Sequence, residues 1–230
     1  MRTVEENALF IADAHYPTHG DALLKLLYRI ESGALEIPQL FLMGDIFDLL
    51  VGGLRGSLSP NKEAVTLIES IAARIPVYYF EGNHDFQLGK IFQKTHIIPR
   101  EQQPYYMNSN GFIIGLSHGD RFAAGWRHDL MSRILRRGWV IAVIDRLHPG
   151  YARQKSEQLA TKEICRELPG FEERAKRIFD AYKGAYRVIE GHYHQAKQIY
   201  GYVALPSLAC QKQVGLMQDG EIKFVDFEKI

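Results

Sequence analysis

Five short apolar runs in this chain break off at similar polar endings, and that recurrence constrains the fold more than any other feature. Leu40 to Met43 stops at Gly44-Asp45-Ile46-Phe47-Asp48. The strand–glycine–polar ending recurs at Phe80-Glu81-Gly82-Asn83-His84-Asp85 and at Ile189-Glu190-Gly191-His192-Tyr193-His194. Phe10-Ile11-Ala12-Asp13-Ala14-His15 and Leu116-Ser117-His118-Gly119-Asp120 add two more polar endings. A short apolar run bounded by glycine reads as a buried strand. Ligands collect beyond the carboxyl ends of strands in open α/β sheets. Taken together, the endings read as one metal site assembled from several strands.

The segments between them set the topology. Leu23, Leu24, Leu27 and Ile30 recur at helical spacing from Asp21, and Gly33 is placed to end that helix. Ser59-Pro60 reads as an N-cap with proline at the first helical position, ahead of Val65, Ile68, Ile71 and Ala72 on one face. The order β-α-β-α-β up to Phe80 predicts a parallel sheet. Tyr105-Tyr106-Met107 and Phe112-Ile113-Ile114 then flank Asn108-Ser109-Asn110-Gly111, a hairpin signal. Phe171, Ala175, Ile178, Phe179 and Tyr182 mark another helix, Arg187 to Ile189 another strand, and Gln198 to Phe227 a strand-rich tail. A single α/β domain over 1–230, a sandwich of two mixed β-sheets flanked by helices, is the expected architecture.

Composition narrows the function classes. Hydrophobic residues make up 46% and charged ones 24%, ordinary for a soluble globular protein. A net charge of +1 argues against a dedicated nucleic-acid binder. Cys165 and Cys210 are isolated and form no metal or redox spacing, so a disulfide framework is not expected and a reducing compartment fits. Met1 to Asn7 has no apolar signal core, and no run approaches the ~18 residues of a membrane span. A cytoplasmic protein is expected, with peripheral membrane contact left open.

Asp13, His15, Asp45, Asn83, His118, His192 and His194 mix carboxylate, amide and imidazole donors. Such a mixture suits divalent cations between hard and borderline. Seven donors exceed the needs of one ion and suit two sharing a carboxylate, an arrangement that serves phosphate-ester hydrolysis.

In order, Asp13-Ala14-His15, Gly44-Asp45-Ile46-Phe47-Asp48, Gly82-Asn83-His84-Asp85, His118-Gly119-Asp120 and Gly191-His192-Tyr193-His194 resemble the five signature blocks of calcineurin-like metallophosphoesterases. The resemblance implies a four-layer αββα sandwich with two metal sites. Asp13, His15, Asp45 and His194 would hold one ion. Asp45, Asn83, His118 and His192 would hold the other, with Asp45 bridging. Manganese is the first expectation, and iron, zinc and cobalt are the others. In the wider family the residue matching His84 stabilises the transition state or protonates the leaving oxygen, and Asp85 or Asp48 is placed to orient it. Asp85 also reads as an N-cap for the segment from Phe86.

Between the fourth and fifth blocks, about 121–168, an insertion departs from this frame. Arg121 to Lys155 holds eight basic residues against two acids. Trp126, Leu130 and Ile134, then Trp139, Val143 and Leu147, repeat every four residues. An apolar, arginine-rich helical pair suits a substrate with anionic groups and greasy chains, or an interfacial helix on an anionic membrane. With Gly44-Asp45-Ile46-Phe47 and Ser117-His118-Gly119-Asp120, this cap is similar to that of the UDP-2,3-diacylglucosamine hydrolases of lipid A biosynthesis. That resemblance implies water attack on the pyrophosphate, release of UMP and 2,3-diacylglucosamine 1-phosphate, acyl chains under the cap, and inner-membrane association. Arg121, Trp126, Arg127, Arg133 and Trp139 are the expected substrate contacts. Many members of that family carry arginine where this chain has His84. The alternatives are a phosphodiesterase or phosphatase acting on nucleotides or phosphoproteins, and a non-catalytic scaffold, which should have lost metal ligands that are all present here.

Overall fold

A computed structural model describes residues 1–122 and 126–230, and for residues 122 and 126–128 the backbone alone. The first half alternates as expected: β1 (Leu9–Ile11), α1 (Ala22–Glu31), β2 (Leu40–Leu42), β3 (Leu50–Val51), α2 (Lys62–Ala72), β4 (Val77–Phe80), β5 (Asp85–Phe86) and β6 (His96–Ile98). The hairpin β7 (Tyr105–Ser109) and β8 (Phe112–Ser117) follows, then helices α3 (Trp126–Leu135), α4 (Gly138–Leu147), α5 (Tyr151–Ala160) and α6 (Phe171–Ala181). The chain closes with β9 (Arg187–Glu190), β10 (Lys197–Ile199), β11 (Tyr202–Ala204), β12 (Gln213–Gln218) and β13 (Glu221–Asp226).

The strands form a six-stranded sheet, ordered β13-β12-β1-β2-β4-β6, and a five-stranded sheet, ordered β10-β11-β9-β8-β7. Both are mixed. β1, β2, β4 and β6 run parallel with β12 antiparallel at β1, and β8 runs parallel to β9 but antiparallel to β7.

Alternation along the strands explains the layering. Leu9, Ile11, Leu40 and Leu42 face α1 and α2 and pack on Leu23, Leu26, Ile68 and Ile71. Phe10, Phe41 and Phe80 point the other way, into a second core with Ile114, Leu116, Ile189 and Val203 of the facing sheet. Phe10 and Phe41 stack there at 4.5 Å. Val188, Tyr202 and Ala204 back onto α6 through Phe171, Ala175 and Ile178. Helix, sheet, sheet and helix are thus the four expected layers. Strands buried on both faces carry continuous apolar runs, which is why they were legible as strands.

Two expectations are corrected. Cys165 and Cys210 are joined by a disulfide across 45 residues, with Cα atoms 5.4 Å apart. Their meeting depends on the loop after α5 folding back against the loop after β11, which spacing alone does not reveal. Asp85 does not cap a helix; it sits in β5, paired in register with Leu50. Among the described residues no helix is long and apolar enough to cross a membrane.

Candidate metal centre and active site

Asp13 and His15 follow β1, Asp45 follows β2, Asn83 follows β4, His118 follows β8, and His192 and His194 follow β9. All leave the carboxyl ends of strands, three from one sheet and two from the other. Glycine permits the convergence. A Cβ on Gly44 would lie 2.4 Å from His118 Nδ1, and one on Gly82 would lie 2.3 Å from Asp45 Oδ1. The donors themselves are held in the left-handed region, with φ of 50° at Asp13, 44° at His15, 50° at Asp45, 66° at His192 and 53° at His194. Each such non-glycine residue costs about 1 kcal/mol or more and persists only where its surroundings over-determine it.

The donors form two groups, Asp13 with His15 and His194, and Asp45 with His118 and His192, each with its donor atoms within 4.8 Å of one another. In the first, His15 Nε2 lies 3.4 Å from His194 Nε2, which is 3.3 Å from Asp13 Oδ1. Asp13 Oδ1 is buried without a hydrogen-bond partner. In the second, His118 Nε2 lies 3.2 Å from both His192 Nδ1 and Asn83 Oδ1, and 3.5 Å from Asp45 Oδ2. Ring nitrogens facing one another, beside an orphaned carboxylate oxygen, are what a shared cation would satisfy. These residues therefore fit two metal ions.

Surrounding contacts aim the donors. His118 Nδ1 donates to the Met43 carbonyl at 2.9 Å, which turns Nε2 into the site. Asp13 Oδ2 accepts the His192 amide at 2.8 Å, and Asp45 Oδ1 accepts the His84 amide at 2.9 Å. Burial holds His15 down at about 3 and His192 at about 4, so both imidazoles are neutral near pH 7 and present a lone pair. Burial pushes the Asp45 carboxyl up, but the summed pull of His118, His84 and His15 wins and holds it well below the usual range.

His84 stands at the mouth of this arrangement. Its Nδ1 donates to the Asp48 main-chain carbonyl at 2.8 Å, and its Nε2 lies 3.9 Å from Asp45 Oδ2. The expected carboxylate partners of His84 are thereby corrected. The Asp48 carboxylate accepts the Thr18 amide at 2.9 Å, so this residue orients His84 through its backbone. The Asp85 carboxylate accepts instead from the amides of Asp45, Ile46 and Gly82 and from the Tyr79 hydroxyl. It ties the second and third loops together and does not face the imidazole.

Two hollows meet at Asn83, His84 and Lys162. One, of about 390 Å³, is walled mainly by apolar side chains, among them Leu49, Val51, Leu54, Phe86, Ile141 and Leu159, with Arg136 and Lys155 also on its lining. The other, of about 770 Å³, is lined mostly by charged and polar residues, among them Arg166, Glu167, Tyr193 and Gln195. The wall of the polar cleft is tied down by the Cys165–Cys210 disulfide and by Gln195, which bonds the Leu168 amide and the Arg166 carbonyl.

Arg121, Arg133 and Trp139, three of the expected substrate contacts, are not among the described residues that line the apolar hollow. Arg121 donates to the Gln103 carbonyl, Arg133 pairs with Asp129 at 2.9 Å, and Trp139 is 67% exposed. The side chains of Trp126 and Arg127 lie outside the described residues. On α4 the four-residue repeat of Trp139, Val143 and Leu147 faces outward, while Ile141 and Ile144 face the hollow. Sequence reasoning missed the latter two because both faces of this helix are apolar.

The calcineurin-like phosphoesterase family model matches residues 7–196, from β1 to past the last pair of histidines. The chain is a calcineurin-like phosphoesterase. This phosphoesterase is 28% identical over 149 residues to the UDP-2,3-diacylglucosamine hydrolase of Psychromonas ingrahamii, covering 64% of this chain and 61% of that protein. It is 34% identical over 112 residues to that of Vibrio atlanticus, covering 48% and 46%. It is 26% identical over 212 residues to that of Pectobacterium carotovorum subsp. carotovorum, covering 87% and 82%. The first two matches thus span about three fifths and about half of those relatives, and the third spans most of its length. Among solved structures, the phosphoesterase Yfce of E. coli is similar at 16% identity and a TM-score of 0.42, over 96% of this chain and 99% of that one.

Proposed function

We propose that this phosphoesterase hydrolyses the pyrophosphate of UDP-2,3-diacylglucosamine, releasing UMP and 2,3-diacylglucosamine 1-phosphate. The observation that carries the reading is the apolar hollow opening onto Asn83 and His84, side by side with a polar cleft that shares them. A substrate with greasy chains at one end and a nucleotide at the other fits that division, with its pyrophosphate between them.

Two divalent cations, manganese before iron, zinc or cobalt, would be held by Asp13, His15, Asp45 and His194 and by Asp45, Asn83, His118 and His192, with Asp45 shared. When bound, such a pair supplies Lewis-acid polarisation of phosphoryl oxygens and a more acidic water. His84, its Nδ1 fixed on the Asp48 carbonyl, directs Nε2 toward the scissile region, where it serves as the donor to the departing oxygen. Lys162 lies where the two hollows join and offers a charge to the phosphates. The helices Trp126–Ala160 act as the cap over the chains, and their outer face meets an anionic bilayer. Exposed Leu130, Ile134, Trp139, Val143 and Leu147 alternate there with exposed Arg133, Arg137 and Arg146.

The test is incubation with UDP-2,3-diacylglucosamine and Mn²⁺, with UMP followed with and without chelator. Ile141→Trp, which fills the hollow, should raise KM for the diacylated substrate at least ~10-fold and leave bis(p-nitrophenyl) phosphate turnover within about 2-fold. Absence of UMP, or equal loss of both activities, would favour a small polar phosphodiester as substrate.

A further inference from the structure

Arg136, just beyond α3, turns inward and is only 6% exposed. Its Nη2 donates to the Gly82 carbonyl at 2.7 Å and lies 3.4 Å from Asp120 Oδ2, while Nη1 lies 4.0 Å from Glu81 Oε2. The guanidinium covers the Phe86 ring at 5.0 Å, and the Arg136 carbonyl accepts Gln87 Nε2 at 2.9 Å. Gly82 immediately precedes Asn83, and Asp120 comes two residues after His118. Arg136 therefore grips both loops that carry donors of the second metal group.

A second arginine fastens the other part of the same helix. Arg100, 2% exposed, binds Asp120 Oδ2 through Nε and Asp129 Oδ1 through Nη1, each at 2.6 Å. Asp129 lies on α3, so that helix is fastened near both its ends, and Asp120 serves both arginines. Stability does not explain this arrangement. Burying an ion pair carries a desolvation cost, and an apolar seam of the same volume is often as stable or more so. What buried, hydrogen-bonded charge does supply is a fixed register between two elements.

We propose that Arg136 is a positioning residue that sets the register between the helical cap and the Asn83–His84 loop, so that a substrate anchored by its chains presents its phosphorus at the metal-binding groups. This inference rests on the lipid-substrate reading above. A small diester, not anchored by the cap, does not depend on that register.

Arg136→Met keeps the apolar stem over Phe86 and removes the polar grip, and Arg136→Lys restores one charged donor. Both variants would be assayed with UDP-2,3-diacylglucosamine and with bis(p-nitrophenyl) phosphate, alongside metal content and thermal unfolding. In Arg136→Met the ratio of kcat for the lipid to kcat for the diester should fall about 100-fold, the usual cost of a misplacement near 1 Å, with KM for the lipid and bound metal little changed. Arg136→Lys should recover part of that ratio. An unchanged ratio, or parallel loss of both activities together with metal, would overturn the positioning role and leave a structural one. A wild-type enzyme that cleaves the diester and releases no UMP from the lipid would instead refute the substrate reading, and this inference with it.

Discussion

Replacing Asp85 by alanine probes how the metal-binding loops are held. The carboxylate is fully buried and accepts from the amides of Asp45 at 3.0 Å, Ile46 at 2.7 Å and Gly82 at 2.8 Å, and from the Tyr79 hydroxyl at 2.6 Å. Each buried donor stranded without a partner costs about 1–3 kcal/mol, so four come to roughly 8 kcal/mol at the middle of that range. One term opposes this loss. Burial, with the Asp45 charge beside it, pushes Asp85 up from 3.8 to about 6. Keeping it ionised near pH 8 therefore costs about 3 kcal/mol, a cost that disappears with the carboxyl. The net expectation is a loss of about 5 kcal/mol, a large share of the 5–15 kcal/mol that holds a typical domain together. Urea unfolding followed by circular dichroism, with chelator present, reads it directly. Asp85→Asn, which keeps one acceptor oxygen, should lose about half as much and remain folded enough to titrate with Mn²⁺. Because the same carboxylate fixes the Asp45 and Gly82 backbones, metal affinity should fall about 10-fold or more in the asparagine variant. A loss below about 1 kcal/mol in Asp85→Ala, with unchanged affinity in Asp85→Asn, would refute the reasoning.

Burial raises Glu81 from 4.5 to about 7, so the folded chain keeps a proton there that the unfolded chain has released. The stability this contributes is full below about pH 4.5 and is lost as pH rises through 7, roughly 3 kcal/mol in all. Glu81→Gln keeps an acceptor for the Leu88 amide, so calorimetry should show a flatter slope over that window and a higher Tm at pH 8; an unchanged slope counts against it. Trp139→Ser with Leu147→Ser removes two exposed apolar side chains from the outer cap face, at about 1.5 kcal/mol each once membrane-buried. Sedimentation with phosphatidylglycerol vesicles should weaken about 100-fold, and undiminished binding would exclude this face.

What could be read from the sequence, and what could not, divides by the range of the interactions. Leu40 to Met43 announces a strand because both of its faces are buried, and Asp45 announces a ligand because it follows directly. Those are local facts. α5 escaped notice because Tyr151–Ala160 buries little besides Ala152 and Leu159, leaving no apolar stripe. The real partners of Asp85 lie about 40 residues away at Asp45 and Ile46, and its neighbour His84 proved a poor guide to them. The Asp120 partner of Arg100, and the cysteine pair, are likewise visible only once distant loops have met.

The features that resisted sequence reading share a physical character with the site itself. Left-handed aspartates and histidines and two arginines buried beneath a helix each work against stability when taken singly, and Asp85 offsets the cost of its buried charge only through its four donors. A chain selected for stability alone would carry glycine at the left-handed positions and apolar side chains in place of the two arginines. The left-handed donors fall on the loops after β1, β2 and β9, and the two arginines lie after β6 and just beyond α3, while the sandwich core behind them, from Phe10 and Phe41 to Val203, is conventionally apolar. Single left-handed residues also occur in turns and loops elsewhere, as at Asn7, Asn110, Tyr200, Lys212 and Asp219, but five metal-binding donors sharing that conformation at one end of the sandwich mean that the placement of ligands there dictated those residues. The cap belongs to that end by the same criterion, since Asp120 cannot serve Arg100 and Arg136 unless α3 is in place.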